Sequence, residues 1–186
     1  RCGMPSRRSS PLPSAPAPNT TGHGSTTQLD KAAPAVTPRT KNAMKIVRDI
    51  ATLRAESAAL KASGRRLAIV PTMGALHRGH VALVEEGQRI ADAVAVSIFV
   101  NPLQFNQSDD LARYPRDEEG DLAQLRAAGA DLVWMPPVEA MYPPGTATVI
   151  EPSGPAQGFE GAYRPGHFRG VATVCCKLFL QSGADV

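Results

Sequence analysis

The sequence predicts an α/β fold, a doubly wound parallel sheet of the Rossmann-like type, and three observations predict it. Short apolar runs at 67–71, 93–100 and 131–135 have the length and composition of buried strands. Helical patterns at 81–91 and 117–128 lie between them, the second closed by Gly129. A strand, a helix, a strand, a helix and a strand in that order make two βαβ units. The handedness of such units places ligands at the carboxyl ends of the strands.

Taken in order, Lys45–Ile46–Val47 reads as a short strand or a lead-in. Ile50, Leu53, Ala58 and Leu60 suggest a helix ending near Gly64. LAIVP (67–71) is a buried strand, VALVEEGQRIA (81–91) a helix, and AVAVSIFV (93–100) a nearly unbroken apolar strand. RDEEGDLAQLRAAGA then supplies a helix from about Asp117, and DLVWM (131–135) the next strand. VATVCCKLFL (171–180) reads as one more helix.

Residues 1–43 differ in kind. They are rich in Pro, Ser, Thr and Ala, contain no aromatic residue and have no apolar period. Such a stretch buries too little to offset its ordering entropy, so disorder is expected there. Met44 opens a run ordered like the first residues of a domain, which suggests that 1–43 is upstream sequence. A linker and a transit peptide are the other readings. Residues 44–186 then form a partial nucleotide-binding domain.

Net charge divides at the same place. Of 20 basic and 17 acidic residues, residues 1–43 hold six and one, and residues 44–186 hold fourteen and sixteen. The basic excess belongs to the extension, so nothing marks the domain as a nucleic-acid binder. Three cysteines, two of them adjacent, provide no disulfide framework, and no run reaches the roughly 18 apolar residues of a membrane span. A soluble protein of a reducing, cytoplasmic compartment with no membrane partner is expected.

The first strong strand runs into Pro71–Thr72–Met73–Gly74–Ala75–Leu76–His77–Arg78–Gly79–His80. Gly74 permits a tight turn, and the helix beginning near Gly79 presents amide groups and a positive dipole end to an anion. His77 and His80, three residues apart, can project to one side and donate to phosphate oxygens. Gly79 leaves room for a flat group such as a purine. Zinc is the competing use of two such histidines, but further ligands at the usual spacing are missing, so no metal site is assigned. Asn101–Pro102–Leu103–Gln104–Phe105 follows the next strand, and an amide such as Gln104 can both donate and accept. Arg164 and His167 precede the last helix, where they could serve phosphate or hold a loop.

PTMGALHRGH, SIFVNPLQF, ARYP and RPGHFRGVATV, in this order, resemble the pantothenate synthetase family of the His-x-Gly-His nucleotidyltransferase superfamily over about residues 44–186. The resemblance implies a two-step ligation. ATP and (R)-pantoate give pantoyl adenylate and pyrophosphate, and the amine of β-alanine then displaces AMP to release pantothenate. It implies ATP binding by Met73, Gly74, Ala75, Leu76, His77, Arg78, Gly79 and His80, with His77 and His80 catalytic and His80 the candidate proton donor. Pantoate and β-alanine fall to Gln104, Asn101, Pro71 and Met73, with Tyr114, Arg164 and His167 as further candidates. Mg²⁺ accompanies ATP in the family, and the full-length enzyme is typically a homodimer. YPRD (114–117) replaces the family's YPRT, and Asp117 can still cap a helix. The family continues past the position of Val186 into a Gly-Glu-Lys-Asp block, a second glutamine and a closing domain. The chain therefore reads as C-terminally truncated, with little turnover expected of it alone. The residues also leave open a non-catalytic nucleotide- or metal-binding module and another adenylyltransferase of the superfamily.

Overall fold

Four apolar segments pair side by side in a computed structural model of the chain, which describes residues 43–186. These are β1 (Lys45–Val47), β2 (Leu67–Thr72), β3 (Ala93–Ile98) and β4 (Leu132–Trp134), in the order β1-β4-β3-β2 with every pairing parallel. Helices α1 (Ile50–Leu60), α2 (Arg78–Ile90), α3 (Ser108–Arg113), α4 (Glu118–Ala128), α5 (Val138–Met141), α6 (Glu160–Tyr163) and α7 (His167–Ser182) intervene or follow. Apart from Ala43, the extension expected over residues 1–43 lies outside the described residues.

Alternation along β3 explains the layering. Val94 and Val96 face one side, where they pack with Ala68, Val70 and Val133 against Val84 of α2 and Leu122 and Leu125 of α4. Ala93 and Ala95 face the other, with Leu67, Leu132 and Trp134, against Leu53 of α1 and Val174 and Leu178 of α7. Each fully buried valine or leucine contributes about 1.5–3 kcal/mol, so both faces must be covered. The doubly wound arrangement read from the sequence is the one observed.

Several boundaries move, each for a local reason. The helix expected from residue 81 begins at Arg78, because the His77 side chain caps it. The last helix begins at His167, not Val171, after Gly166 turns the chain at φ +83°. The strand expected to reach Val100 ends at Ile98, level with Thr72, the last residue of its neighbour β2. At the outer edge of β2, Asp185 and Val186 run alongside it: Asp185 donates its N–H to the Leu67 carbonyl (2.7 Å) and the Val186 carbonyl accepts from Ile69 (2.8 Å). Lys61 ties this segment to α1 through Asp185 (2.7 Å) and the Gly183 carbonyl (2.7 Å).

Candidate functional site

The carboxyl end of β2 opens into a turn held by buried groups. Thr72 donates its hydroxyl to the Ser97 carbonyl (2.7 Å) and accepts the Gly74 N–H (3.3 Å), which fixes the exit from the sheet. Gly74 (φ +83°) and Ala75 (φ +51°) both lie in the left-handed region. For Ala75 that costs about 1–2 kcal/mol. Asp121, in the first turn of α4 and 3% exposed, offsets the cost by accepting the N–H groups of Ala75 (2.9 Å) and Leu76 (2.7 Å). A Cβ on Gly74 would stand 2.9 Å from the same carboxylate, so the position takes only glycine without a shift.

From this turn the chain enters α2 through a reciprocal cap made of imidazoles. Nδ1 of His77 accepts the Gly79 N–H (3.1 Å), and Nδ1 of His80 accepts the His77 N–H (3.3 Å). An Nδ1 that accepts carries no proton, so each neutral ring holds its hydrogen on Nε2. The ring centroids are 4.1 Å apart. Burial, and then the neighbouring His77, lower the pKa of His80 below the ordinary imidazole value. The pair thus presents two neutral N–H donors beside a helix start, an arrangement suited to phosphate oxygens.

Beside His80 lies a cavity of about 280 Å³ lined by Pro71, Thr72, Met73, Phe99, Gln104 and Tyr114, with Val171, Val174, Cys175 and Leu178 of α7. Its wall is mostly apolar, and no carboxylate lines it. Gln104 sits in a short 3₁₀ turn (Pro102–Gln104) entered through Asn101, whose Oδ1 accepts the Leu103 N–H (3.3 Å). α7 presses closely on this turn at Gly170, where a Cβ would collide with the Leu103 carbonyl. Phe105 meets Tyr114 edge-on at 5.7 Å, which sets the outer wall.

The structure therefore brings together Pro71, Met73, His80, Gln104 and Tyr114, with His77 exposed against His80. Other expected residues support them from behind. Ala75 and Leu76 give their N–H groups to Asp121, and the Leu76 side chain lies in the core. Asn101 is 1% exposed and holds the Gly170 carbonyl and Gln104. Arg164 and His167 both bond the Gln104 carbonyl (2.9 and 2.8 Å), which ties the chain before α7 to the 3₁₀ turn. Arg78 and Gly79 are exposed at the helix start. Burial pushes the Cys175 thiol up, as for a packing residue. Asp121 and Tyr142 escaped the sequence reading. Asp121 has a signal in hindsight: it stands four residues before Leu125, on the buried stripe of α4.

Among the described residues no three His, Cys, Asp or Glu side chains gather to hold a metal ion. No described helix is long and apolar enough to cross a membrane.

A parallel sheet whose carboxyl edge carries an imidazole-capped helix start next to a small apolar cavity defines an α/β domain of the nucleotide-binding kind. Residues 45–186 match the pantoate-beta-alanine ligase family, and the chain belongs to it. It is 57% identical over 143 residues to the pantothenate synthetase of Rhizorhabdus wittichii, covering 77% of this chain and 51% of that one. The Chloroflexus aurantiacus pantothenate synthetase is 57% identical over 136 residues, with 73% and 47% covered. Among solved structures, pantothenate synthetase from Thermus thermophilus matches with a TM-score of 0.70 at 50% identity, over 76% of this chain and 50% of that one. The Francisella tularensis ligase, solved with beta-gamma ATP and beta-alanine, matches with 0.73 at 38% identity, over 77% and 55%. The chain spans about half the length of the curated relatives it matches.

Proposed function

We propose that residues 44–186 carry the ATP- and pantoate-binding part of a pantothenate synthetase, which joins (R)-pantoate to β-alanine through pantoyl adenylate. The observation that carries this reading is the histidine pair with Nδ1 turned inward on the backbone and Nε2–H left for a ligand, next to the cavity. Attack of the pantoate carboxylate on the α-phosphorus forms the acyl–phosphate bond and breaks the bond to pyrophosphate. Negative charge builds on the phosphate oxygens as it does so. Fixed N–H donors at His77 and His80 stabilise that charge more than the ground state. The apolar wall of Met73, Phe99, Val174 and Leu178 suits pantoate's paired methyl groups, and Gln104 its oxygens. β-Alanine's amine then attacks the acyl carbon and AMP departs with the shared oxygen.

No carboxylate lines the cavity, and Asp121 is committed to backbone amides. A magnesium ion here would come on the nucleotide's own phosphates, and no step is assigned to it. The family likeness supports a homodimeric, cytoplasmic setting.

The test is exchange of labelled pyrophosphate into ATP. Weak exchange that needs pantoate and is not supported by nicotinamide mononucleotide is the expected result. ATP binding in calorimetry with no exchange under any acid would instead make the chain a nucleotide-binding module without turnover.

A further inference from the structure

Behind the cavity, three side chains form a hydrogen-bonded series with a fixed direction. Tyr142, which follows α5 and does not line the cavity, donates its hydroxyl to Oδ1 of Asn101 at 2.8 Å. That oxygen also accepts the Leu103 N–H at 3.3 Å. Nδ2 of Asn101 is thereby directed at the Gly170 carbonyl and at Oε1 of Gln104, 3.1 Å from each. Asn101 is 1% exposed, so bulk water does not compete for either end of its amide. Only one orientation is chemically consistent, since an N–H needs an acceptor and a carbonyl needs a donor. Oε1 of Gln104 is turned back toward Asn101, and Nε2 is left on the cavity side, 2.8 Å from the Met73 sulfur. A thioether is a weak acceptor and engages one N–H, which leaves the second for a ligand.

We propose that Tyr142 is a positioning residue that fixes Gln104 as a donor, so that Gln104 selects an acceptor oxygen of the acid substrate and rejects a donor group placed there. The proposal rests on the reading of the cavity as the pantoate site. Without the phenol, Oδ1 of Asn101 keeps a single bond of 3.3 Å, and the amide loses its better reason to stay as it is. Two neighbours hold the phenol ring in place, Phe99 with its centroid 6.2 Å away and the Lys177 ammonium 5.4 Å from the ring centre. Burial pushes the Tyr142 pKa up to about 12, so the hydroxyl remains a donor at physiological pH.

The experiment is Tyr142→Phe in the pantoate-dependent exchange assay, together with ¹⁵N spectra of the side-chain amides. The expected result is a pantoate KM raised about five- to tenfold, the worth of one buried hydrogen bond, with the ATP KM and kcat within about twofold and the Gln104 NH₂ signals displaced. A pantoate KM that does not move, or ATP and pantoate constants that rise together as for a loop anchor, overturns it. If the unsubstituted protein neither binds pantoate in calorimetry nor supports pantoate-dependent exchange, the functional reading fails by itself. The amide spectra then decide the positioning role: displaced Gln104 and Asn101 signals support it, and coincident signals refute it. Should Tyr142→Phe not fold, Gln104→Glu replaces the donor by an acceptor without touching the tyrosine. Pantoate binding should then be lost with ATP binding retained, and unchanged pantoate binding refutes the proposal.

Discussion

Leu76 gives its backbone N–H to Oδ1 of Asp121 across 2.7 Å, joining the turn after β2 to the first turn of α4 over 45 residues of sequence. Ala75 gives its own to Oδ2 at 2.9 Å, so one buried carboxylate closes both donors of a strained turn. Asp121→Ala leaves two inward-facing N–H groups without partners, each costing about 1–3 kcal/mol. A loss of about 2–4 kcal/mol is expected in urea unfolding, with weakened ATP binding, because the histidine cap begins at the next residue. Asp121→Asn keeps one acceptor and turns an NH₂ onto the other amide, so it should fall between the two. A loss under about 1 kcal/mol for the alanine variant would mean that the turn is held by something else.

His80 makes stability depend on pH in a defined direction. Burial, then His77, hold the His80 pKa below 6.5. In the interval between the folded value and 6.5 the unfolded chain binds more protons than the folded one. Stability is therefore full above about pH 6.5, falls as pH drops through that interval, and levels off below the folded value. Protonation at Nδ1 would also expel the His77 N–H from its acceptor. A titration of the His80 ring protons by NMR should give a pKa below that of a model imidazole. Urea midpoints at pH 7.5 and pH 5 should differ in the unsubstituted protein more than in His80→Asn.

Much of this was legible in the sequence, and the parts that were not share a physical cause. Strands β2, β3 and β4 were visible because a strand covered on both faces must be apolar along its length, and Val94 and Ala95 meet different helices. The histidine turn was visible because glycine and two histidines stand between a strand and a helix. Asp121 was hidden because an acid in a helix's first turn already has an ordinary explanation in the helix dipole. Tyr142 was hidden because α5, α6 and the turns between β4 and α7 are too short to show a period. The partner of Tyr142 is Asn101, far away in sequence. Arg164 and His167 were read evenly between phosphate and loop, and nothing in the sequence spacing places both on the Gln104 carbonyl.

Gly170 tests how tightly α7 sets the 3₁₀ turn. A Cβ there would collide with the Leu103 carbonyl and lie 2.8 Å from the Gln104 nitrogen, both of them backbone atoms that cannot rotate away. Gly170→Ala gains helix propensity, so an isolated helix would be stabilised by roughly 1 kcal/mol. In the folded chain the collision should outweigh that and cost about 1–3 kcal/mol net. Because the turn carries Gln104, pantoate binding should weaken more than ATP binding. Thermal unfolding and the two substrate constants measure the two effects separately. An alanine variant as stable as the parent would mean that α7 and the turn separate easily.

His80 has two duties that different substitutions can divide. Its Nδ1 caps α2 by accepting the His77 N–H, while its Nε2 carries the hydrogen offered beside the cavity. An asparagine places an oxygen near the position of Nδ1 and nothing near Nε2. A glutamine can serve both, its Oε1 accepting the His77 N–H as in the usual capping box and its NH₂ remaining as a donor. His80→Asn should therefore keep the stability of the parent to within about 0.5 kcal/mol and lose exchange activity about 10²–10³-fold, as removal of one transition-state donor does. His80→Gln should keep the stability of the parent to within about 0.5 kcal/mol and keep more of the exchange than His80→Asn. The order of the two variants in exchange activity decides the matter. If His80→Asn is the more active, the ring serves the helix and not the phosphate, and the transition-state donor must be sought at His77, whose ring lies 4.1 Å away.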